Sequence, residues 1–220
     1  MVHSSWTLRT GFEVVTRISV TRFVCLGLIV VCLVVACDDG SASLPRLLDL
    51  DGHEVDPFAA PAGDPSSGVS PSNGLATVLL FVRTDCPIAN RYAPEIQRIH
   101  SEFNSRGVQF WLVYPDPDET PDGIRQHIQD FGYTFPVVRD VRHTLVRQTG
   151  AKVTPEAAVF RAGGELVYCG RIDDRYVDFG QARTEPRTRE LRQVVNALLE
   201  RKEITLTRSA AVGCPIAELE

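Results

Sequence analysis

The sequence predicts an α/β protein in which helices cover a sheet of mainly parallel strands. Three observations support this class. Apolar runs of strand length alternate with segments of helical periodicity, glycines and prolines separate them, and a hairpin pattern with a final helix closes the series. The chain has 220 residues, of which 44% are hydrophobic, and this length suits one domain with a leader better than two domains.

The first half of the domain opens with a hairpin pattern and a loop rich in Ala, Gly, Pro and Ser. Two apolar runs then predict buried strands, and each is followed by a helix with apolar residues three or four positions apart. Gly107 ends the first helix, and Thr120 with Pro121 starts the second. The expected elements are a hairpin at 47–55 that turns at Asp51-Gly52, a loop at 59–74, strands at 77–82 and 108–114, a helix at 90–103, and a helix that begins at 121 and includes Phe131.

The second half repeats the alternation and ends in a hairpin. A short strand precedes a helix that stops near Gly150, and the turn Gly163-Gly164 joins two further strands. The expected elements are a strand at 135–138, a helix around 145–146, hairpin strands at 157–160 and 166–169, and a last helix at 190–199. This order predicts parallel strands with a terminal antiparallel hairpin, which together make a mixed sheet.

The first 36 residues differ in character from the rest. Three arginines precede an apolar run at 23–36, which is short for a membrane span and typical of a secretory signal. The run ends at Ala36, and Cys37 follows it as in bacterial lipoprotein signals, where that cysteine is lipidated. A cleaved secretory signal and an uncleaved anchor helix are the alternatives, and all three predict a domain outside the cytoplasm. The expected organisation is a signal or anchor at 1–36, a tether at 37–43, the folded domain at 44–204 and a tail at 205–220.

Charge and cysteine content restrict the partners and cofactors. The net charge of −5 at pH 7 argues against a nucleic-acid partner and against electrostatic binding to anionic lipid. Membrane contact is therefore expected only through the amino-terminal anchor. No two cysteines have the spacing of zinc ligands, so neither a metal nor another cofactor is expected. An odd number of cysteines remains for the folded domain: Cys86, Cys169 and Cys214.

Cys86 is the strongest candidate for a functional residue. It follows the first buried strand and precedes Pro87, which suits the first turn of a helix. Unpaired backbone N–H groups and the positive end of the helix dipole favour a thiolate at that position. A lowered thiol pKa is what a nucleophilic cysteine requires. The alternative is a buried cysteine that only packs.

Pro155 is the second candidate. It directly precedes the strand that opens the hairpin, and a proline in this position is often cis. An ordinary trans proline at the start of a strand is the alternative.

Four segments, taken together, resemble the thioredoxin-like superfamily and, within it, the redoxin branch (AhpC/TSA and TlpA-like). They are residues 81–96, 135–140, 149–160 and 163–174. The resemblance covers roughly 44–204 and implies a thioredoxin-like fold, with a central mixed sheet flanked by helices. It also implies that Cys86 and a cis Pro155 meet to form the substrate-binding surface, with Thr154 offering its backbone to an extended partner.

This chain departs from three active-site patterns of that superfamily. Ala89 stands where thioredoxins carry the second cysteine of Cys-x-x-Cys, so a local dithiol cycle is excluded. Arg83 stands where peroxiredoxins carry a threonine, and Asn90 stands where copper-delivering relatives carry a second cysteine ligand. The pattern is similar instead to single-cysteine redoxins of the CPxxN type.

Cys214 completes that similarity, because a glycine–cysteine near the carboxyl terminus also occurs in the CPxxN redoxins. We expect the tail to fold back, so that Cys214 pairs with Cys86 as a resolving cysteine or in a permanent bridge. An unrelated tail cysteine is the alternative. Cys169, on a hairpin strand, is expected to pack in the core.

Charged loops are expected around Cys86, because the carboxyl ends of the parallel strands open on one edge of the sheet. Arg171 or Arg175 is expected to bind substrate or stabilise the thiolate by its charge. An acidic rim is expected to favour a basic partner such as a c-type cytochrome, unless these loops are solvated and paired internally. The rim consists of Asp116, Asp118 and Glu119. Four histidines are expected at the surface: His53, His100, His127 and His143.

Two functions remain open from the sequence. The first is an extracytoplasmic thiol oxidoreductase, in which Cys86 attacks a protein disulfide or a peroxide and is then resolved by Cys214, Cys169 or an external thiol. The second is a non-catalytic module that binds a partner or a metal at the same edge, or takes part in electron transfer, with Cys86 structural or bridged.

Overall fold

The computed structural model describes residues 47–59 and 74–219. The predicted signal or anchor, the tether and the lipidation site Cys37 lie outside the described residues, as does most of the loop at 59–74. Within the two described ranges, no helix is both long enough and apolar enough to cross a membrane.

The described chain alternates strands and helices in the predicted order. The elements are β1 Leu47–Leu48, β2 Glu54–Val55, β3 Ala76–Phe81, α1 Pro87–Phe103, β4 Val108–Tyr114, α2 Pro121–Phe131, β5 Val137–Arg139, α3 Thr144–Thr149, β6 Val153–Thr154, β7 Glu156–Arg161, β8 Leu166–Gly170, β9 Tyr176–Asp178, β10 Gln181–Ala182, α4 Glu190–Leu199 and β11 Cys214–Pro215. A 3₁₀ turn at Asn104–Arg106 extends α1.

Seven strands form one sheet in the order β2-β1-β5-β4-β3-β7-β8. The strands β3, β4 and β5 are parallel, whereas β7 is antiparallel to β3 and β8 is antiparallel to β7. The predicted mixed sheet with a terminal hairpin is therefore confirmed. The first hairpin, β1 with β2, pairs with β5 at the edge of the sheet.

Local signals in the sequence explain where the helices begin and end. Cys86 and Thr120 are the N-caps of α1 and α2, and each is followed by a proline at the first helical position. Gly107 adopts a left-handed conformation with φ of 84° after the 3₁₀ turn, which a residue without a side chain adopts without strain.

The core lies in two layers, one on each face of the sheet. Alternate residues of β3 supply them: Val78 and Leu80 pack in the larger layer, and Leu79 and Phe81 pack in the smaller one. The helices α1, α2 and α4 contribute to the larger layer, which also contains Cys86. The helix α3 contributes to the smaller layer.

The tail after α4 is extended and returns to the domain. Its residue Thr207 accepts a hydrogen bond from the N–H of Cys169, with N and O 3.0 Å apart. Further along, β11 pairs antiparallel with β6, and Cys214 lies opposite Thr154. The expectation that the tail folds back is therefore met in the structure.

The expectation that all four histidines are exposed is wrong for two of them. His127 and His143 are each only 5% exposed. The side chain of His127 bonds to Tyr114 and Asn90, and Nε2 of His143 bonds to the carbonyl oxygen of Pro115. Burial costs little when the ring nitrogens find partners, as both nitrogens of His127 do, and a spacing pattern does not reveal such partners.

Candidate functional site

The site is centred on Cys86, at the point where β3 ends and α1 begins. None of the Cys86 surface is exposed. Its sulfur accepts a hydrogen bond from the N–H of Ala89 at 3.4 Å, because an N-cap side chain faces the unpaired N–H groups of the first turn. The protonated thiol donates to the carbonyl oxygen of Thr154, 2.9 Å from the sulfur.

A cis peptide bond joins Thr154 to Pro155 and places the Thr154 carbonyl beside the Cys86 sulfur. Thr154 is fully buried, in the short strand β6. The structure thus brings together three of the residues that the sequence analysis selected.

Cys214 joins this group from the tail. In β11 it lies opposite Thr154, and its thiol interacts with that of Cys86. Unlike Cys86, it is partly exposed. All three cysteines of the described residues are free thiols in this structure.

The pKa of Cys86 lies below the ordinary thiol value. Burial raises this pKa, but hydrogen bonds with the Cys214 thiol, the Ala89 N–H and the Thr154 side chain lower it by more. The Thr154 carbonyl favours the protonated form, so the donors act against both burial and this acceptor. Cys86 is therefore the thiol of the pair that ionises first.

The pKa of Cys214 moves in the opposite direction, to about 12. Burial is the largest cause, followed by the hydrogen bond to Cys86 and by the negative charge of the Cys86 thiolate. The charge of Arg83 lowers this pKa and only partly offsets the others. Cys214 therefore stays protonated while Cys86 is a thiolate.

A hydrogen-bonded clamp holds the loop before Cys86. The N–H of Thr84 donates to Oε1 of Glu119 at 2.6 Å, and the carbonyl of Thr84 accepts from Nδ2 of Asn90 at 2.9 Å. Oδ1 of Asn90 is 2.8 Å from Nε2 of His127, whose Nδ1 is 2.8 Å from the hydroxyl of Tyr114. Hydrogen bonds therefore hold both the N–H and the carbonyl group of Thr84.

Sequence reasoning did not find this clamp. Asn90 was identified only as a missing cysteine and as the last residue of the CPxxN pattern, and neither observation indicates which residues it contacts. Nothing in the sequence indicates that His127 reaches Asn90, because the two residues lie on different helices.

Arg83 was also missed, since it was interpreted only as a departure from the peroxiredoxin pattern. Its guanidinium lies 3.1 Å from a carboxylate oxygen of Asp116 and 3.1 Å from one of Asp85. It also donates to the carbonyl oxygen of Pro215 in the tail, 3.5 Å away. Arg83 is therefore the cation next to the thiol pair, and it contacts the strand that carries Cys214.

Comparison with known proteins identifies the family. The family model of AhpC/TSA proteins matches residues 52–169, which is more than half of the chain. The chain belongs to the AhpC/TSA family. The match includes Cys86 and Pro155 but ends before Cys214, so the second thiol comes from a segment beyond the region common to the family.

Individual relatives agree with this assignment. The thiol-disulfide oxidoreductase ResA of Halalkalibacterium halodurans is 24% identical over 107 residues, which are 48% of this chain and 60% of that protein. The crystal structure of an uncharacterised conserved protein from Geobacillus kaustophilus has a TM-score of 0.63 at 23% identity, covering 79% of this chain and 88% of the other. The solution structure of a candidate thioredoxin from Neisseria meningitidis has a TM-score of 0.50 at 21% identity, covering 70% and 87%. The thioredoxin-like fold inferred from the sequence is therefore confirmed.

The other predicted site residues of this AhpC/TSA domain lie apart from the thiol pair. Arg171 donates through Nε to Oε1 of Glu190 at 2.9 Å, and Glu190 is buried. The N–H of Arg175 donates to Oδ1 of Asp173, which also accepts from the hydroxyl of Tyr92 at 2.5 Å. The structure places both arginines in polar clusters between α1, α4 and the loop after β8.

Cys169 lies in the core layer opposite to that of Cys86. Burial and the nearby carboxylate of Glu156 raise the pKa of Cys169 to about 12. Its sulfur is 3.6 Å from Oε1 of Glu156. Because the sheet separates them, Cys169 packs in the core and does not meet Cys86.

The predicted acidic rim is largely paired internally. Asp116 forms an ion pair with Arg83, and Glu119 accepts from the N–H of Thr84. Burial raises the pKa of Glu119. Asp118 is exposed and remains as a surface charge.

One group of side chains among the described residues has the spacing to hold a metal ion, although the sequence analysis expected none. It consists of Asp49, Asp51 and His53 in the first hairpin. Oδ1 of Asp51 is already 2.6 Å from the guanidinium of Arg125, and Oδ1 of Asp49 accepts the N–H groups of Asp51 and His53. These contacts explain why the three side chains lie close together, because Asp49 caps the turn of the hairpin and Arg125 holds Asp51.

Proposed function

We propose that this protein is a thiol–disulfide oxidoreductase whose redox pair is Cys86 and Cys214. The observation that carries the proposal is the pairing of β11 with β6, which places Cys214 opposite Thr154, the residue whose carbonyl contacts the Cys86 sulfur. The usual Cys-x-x-Cys arrangement would place a second cysteine at position 89, where this chain has alanine. Cys214 supplies that second sulfur instead.

The first step is attack by Cys86. Its thiolate bonds to one sulfur of a substrate disulfide, the substrate S–S bond breaks, and the other substrate sulfur leaves as a thiolate. The lowered pKa of Cys86 supports this role, because the thiolate is the attacking form. The product is a mixed disulfide between Cys86 and the substrate.

The second step is resolution by Cys214. Once Cys86 is in a disulfide it carries no negative charge, so two of the causes that raise the pKa of Cys214 disappear. The charge of Arg83 remains and favours ionisation. The Cys214 proton passes to the thiolate that left in the first step, and Cys214 attacks the Cys86 sulfur. The second substrate sulfur leaves as a thiolate and takes a proton from the solvent, so the substrate is released as a dithiol. The protein is left with a Cys86–Cys214 disulfide, and two electrons have passed to the substrate.

A disulfide is better supported than a peroxide as the substrate. Because Cys86 is buried and Cys214 is partly exposed, Cys214 is the sulfur that an external thiol reaches in the oxidised protein, which suits thiol exchange. The low-pKa sulfur of Cys86 is then the better leaving group when a reductant attacks Cys214. The relative in Halalkalibacterium halodurans is a thiol-disulfide oxidoreductase, and the chain spans 60% of its length.

The domain is proposed to act outside the cytoplasm, attached through a lipid on Cys37. The apolar run at 23–36 and the cysteine that follows it support this location. A basic protein such as a c-type cytochrome remains a candidate redox partner. Labelling with a radioactive fatty acid in a bacterial host tests the anchor: the intact chain should incorporate label and Cys37→Ser should not.

Mapping of the disulfide tests the redox pair. The full chain is oxidised mildly, digested without reduction and analysed by mass spectrometry, and a peptide pair linked through Cys86 and Cys214 is expected. Catalysed reduction of insulin disulfides by dithiothreitol should fall at least tenfold in Cys214→Ser. Cys169→Ser is the matched control and should keep the wild-type rate, since its sulfur lies in the other core layer. Two free thiols after oxidation would contradict the proposal.

The burial of Cys86 favours a second candidate, a non-catalytic module with a permanent Cys86–Cys214 bridge. Reduction under native conditions separates the two. A redox pair exchanges with a glutathione buffer, whereas a structural bridge resists reduction by it until the protein unfolds.

A further inference from the structure

Residues 152–155, called the proline loop here, make contact with both partners of the thiol pair. The carbonyl oxygen of Thr154 is 2.9 Å from the Cys86 sulfur. The same residue pairs with the tail, where Cys214 lies directly opposite it. The position of this loop therefore determines how closely the two sulfurs approach one another.

The tail fits so tightly against the proline loop that a displacement of the loop also moves Cys214. A Cβ at Gly213 would overlap the carbonyl group of Thr154, with the carbonyl carbon only 2.7 Å away. The N–H of Ile216 donates to the carbonyl oxygen of Lys152 at 2.9 Å. The loop therefore contacts the tail both before and after Cys214.

Glu156 follows the proline loop and is the first residue of β7. It pairs with Phe81 at the end of β3, and Phe81 belongs to the smaller core layer. Side chains of directly paired residues lie on the same face of a sheet, whereas Cys86 belongs to the larger layer on the other face. Any effect of Glu156 on the thiol pair therefore passes through the backbone.

The carboxylate of Glu156 binds the backbone of the proline loop. Its Oε2 accepts from the N–H of Lys152 at 2.7 Å and from the N–H of Val153 at 3.3 Å. Its Oε1 is 3.6 Å from the sulfur of Cys169, and a thiol is only a weak donor. The stronger polar contacts of this side chain are therefore those with the loop.

Packing alone does not explain a glutamate at this position. Glu156 is only 5% exposed, and the other buried residues of β7 are all apolar: Ala157, Ala158, Val159 and Phe160. Removing a carboxylate from water costs free energy unless hydrogen bonds compensate, and bonds from backbone N–H groups to a charged oxygen are among the strong ones. The glutamate is therefore explained by the N–H groups that it binds.

We propose that Glu156 is a positioning residue for the thiol pair. By binding the N–H groups of Lys152 and Val153, its carboxylate holds the proline loop in the place where Cys86 and Cys214 meet. This inference rests on the proposed function, because it concerns how the same two thiols form their disulfide.

Exchange with glutathione measures the placement of the two sulfurs. When the reduced protein passes two electrons and two protons to oxidised glutathione, the Cys86–Cys214 bond forms and two molecules of reduced glutathione are released. The equilibrium constant of this exchange has the units of a concentration and reports the effective concentration of one protein thiol at the other. It is measured on the full chain by acid quenching, alkylation and mass spectrometry.

Two substitutions of Glu156 test the proposal. Glu156→Ala should lower the equilibrium constant at least tenfold, because the loop loses its acceptor. Glu156→Gln should stay within threefold of the wild type, because an amide oxygen still accepts from both N–H groups. An unchanged constant in Glu156→Ala would overturn the inference. A tenfold decrease in Glu156→Gln would overturn it whether or not Glu156→Ala folds.

Val159→Ala separates positioning from a general loss of stability. Val159 is a fully buried residue of the same strand, but it pairs with Val78 and Tyr168 rather than with the proline loop. Its truncation leaves a cavity and destabilises the fold. At a temperature where circular dichroism shows folded protein, this variant should keep the constant within threefold of the wild type. A decrease as large as that in Glu156→Ala would overturn the positioning role.

The wild type distinguishes this inference from the proposed function. If the wild type forms no Cys86–Cys214 bridge in any glutathione buffer, the proposed function fails and the role of Glu156 fails with it. If the bridge forms with the same constant in the wild type and in Glu156→Ala, only the role of Glu156 fails.

Discussion

Cys86 and Cys214 are the same type of residue, and their surroundings make them chemically different. Cys86 caps a helix and receives hydrogen bonds, whereas Cys214 lies on an extended strand and faces a thiolate. The resulting pKa values move apart, one below the ordinary value and the other to about 12. Such a pair suits the proposed function, in which Cys86 attacks as a thiolate and Cys214 ionises only after the attack.

Removal of the tail donor should raise the pKa of Cys86. In Cys214→Ala the thiolate of Cys86 loses the hydrogen bond from Cys214, which is the largest contribution that lowers its pKa. The pH dependence of alkylation by iodoacetamide should shift to higher pH, and the rate at pH 7 should fall severalfold. Cys214→Ser keeps a donor and should shift less. A larger shift in the serine variant would contradict this reasoning.

Asn90 is expected to matter for stability although it bears no reactive group. Asn90→Ala leaves the carbonyl of Thr84 and Nε2 of His127 without their partner in a partly buried place. Loss of such a partner costs about 1–3 kcal/mol. Urea unfolding should show this decrease, whereas the exposed neighbour Arg91→Ala should change the free energy of unfolding by less than about 0.5 kcal/mol. Equal effects would exclude a clamping role.

Helix α2 extends this clamp to a second element. The hydroxyl of Tyr114 donates to Nδ1 of His127, and Nε2–H of His127 donates to Asn90. This direction leaves Nδ2 of Asn90 free to donate to Thr84, so every donor has an acceptor. The network assigns His127 as neutral, with its proton on Nε2. Packing of α2 against α1 thus determines the position of the loop before Cys86.

Stability should fall in acid through His127. Burial lowers the pKa of His127, although Asp130 acts in the opposite direction. In the unfolded chain a histidine titrates near pH ~6.5, so between its folded and unfolded pKa values the unfolded chain binds more protons. The stabilisation that comes from burying His127 in its neutral form is fully present above about pH 7, and it is lost as the pH falls below about 6.5.

Urea unfolding at pH 7.5 and pH 5.5 measures this contribution. His127→Gln should lose less free energy of unfolding between the two pH values than the wild type. The exposed neighbour Gln126→Ala should behave as the wild type. The same pH dependence in all three proteins would contradict the assignment of a neutral, buried imidazole.

At the scale of the whole molecule, the tail returns to the domain and places Cys214 beside Cys86. A Cys86–Cys214 disulfide would enclose residues 86 to 214, which include every element from α1 to α4. A cross-link across so long a loop restricts the unfolded chain strongly. The redox state should therefore determine the stability of the whole domain.

Oxidation should stabilise the protein. The oxidised full chain should exceed the reduced chain in free energy of unfolding by on the order of 3–5 kcal/mol. Guanidinium unfolding with and without dithiothreitol measures the difference. Cys214→Ser should show no dependence on dithiothreitol, and a wild type that is equally stable in both states would show that the bridge strains the native fold.

Much of the fold could be predicted because its signals are local. Two helix starts are specified by the N-caps Cys86 and Thr120 and by the prolines that follow them. The buried strands β3 and β4 are specified by their own apolar runs, without reference to distant residues. The strand β6 has only two residues, which is too short to show a pattern, and it was not predicted.

The candidate site was predicted in part. Cys86, Thr154 and Pro155 followed from the helix start and the family resemblance, and Cys214 followed from the glycine–cysteine in the tail. Arg171 and Arg175 were selected for their charge, yet both lie in other clusters, with Glu190 and Asp173. Arg83, Asn90 and His127 were missed because their roles depend on partners far away in the chain.

The sequence by itself determined the α/β class, the order of its elements and the helix start at Cys86, since these depend on neighbours within a few residues. Only the tertiary structure decided that Cys214 reaches Cys86, that Gly213 fits against the carbonyl of Thr154 and that Arg83 is the nearby cation. These contacts join segments that lie far apart in the chain, and their geometry depends on the packing of the sheet, the helices and the tail together.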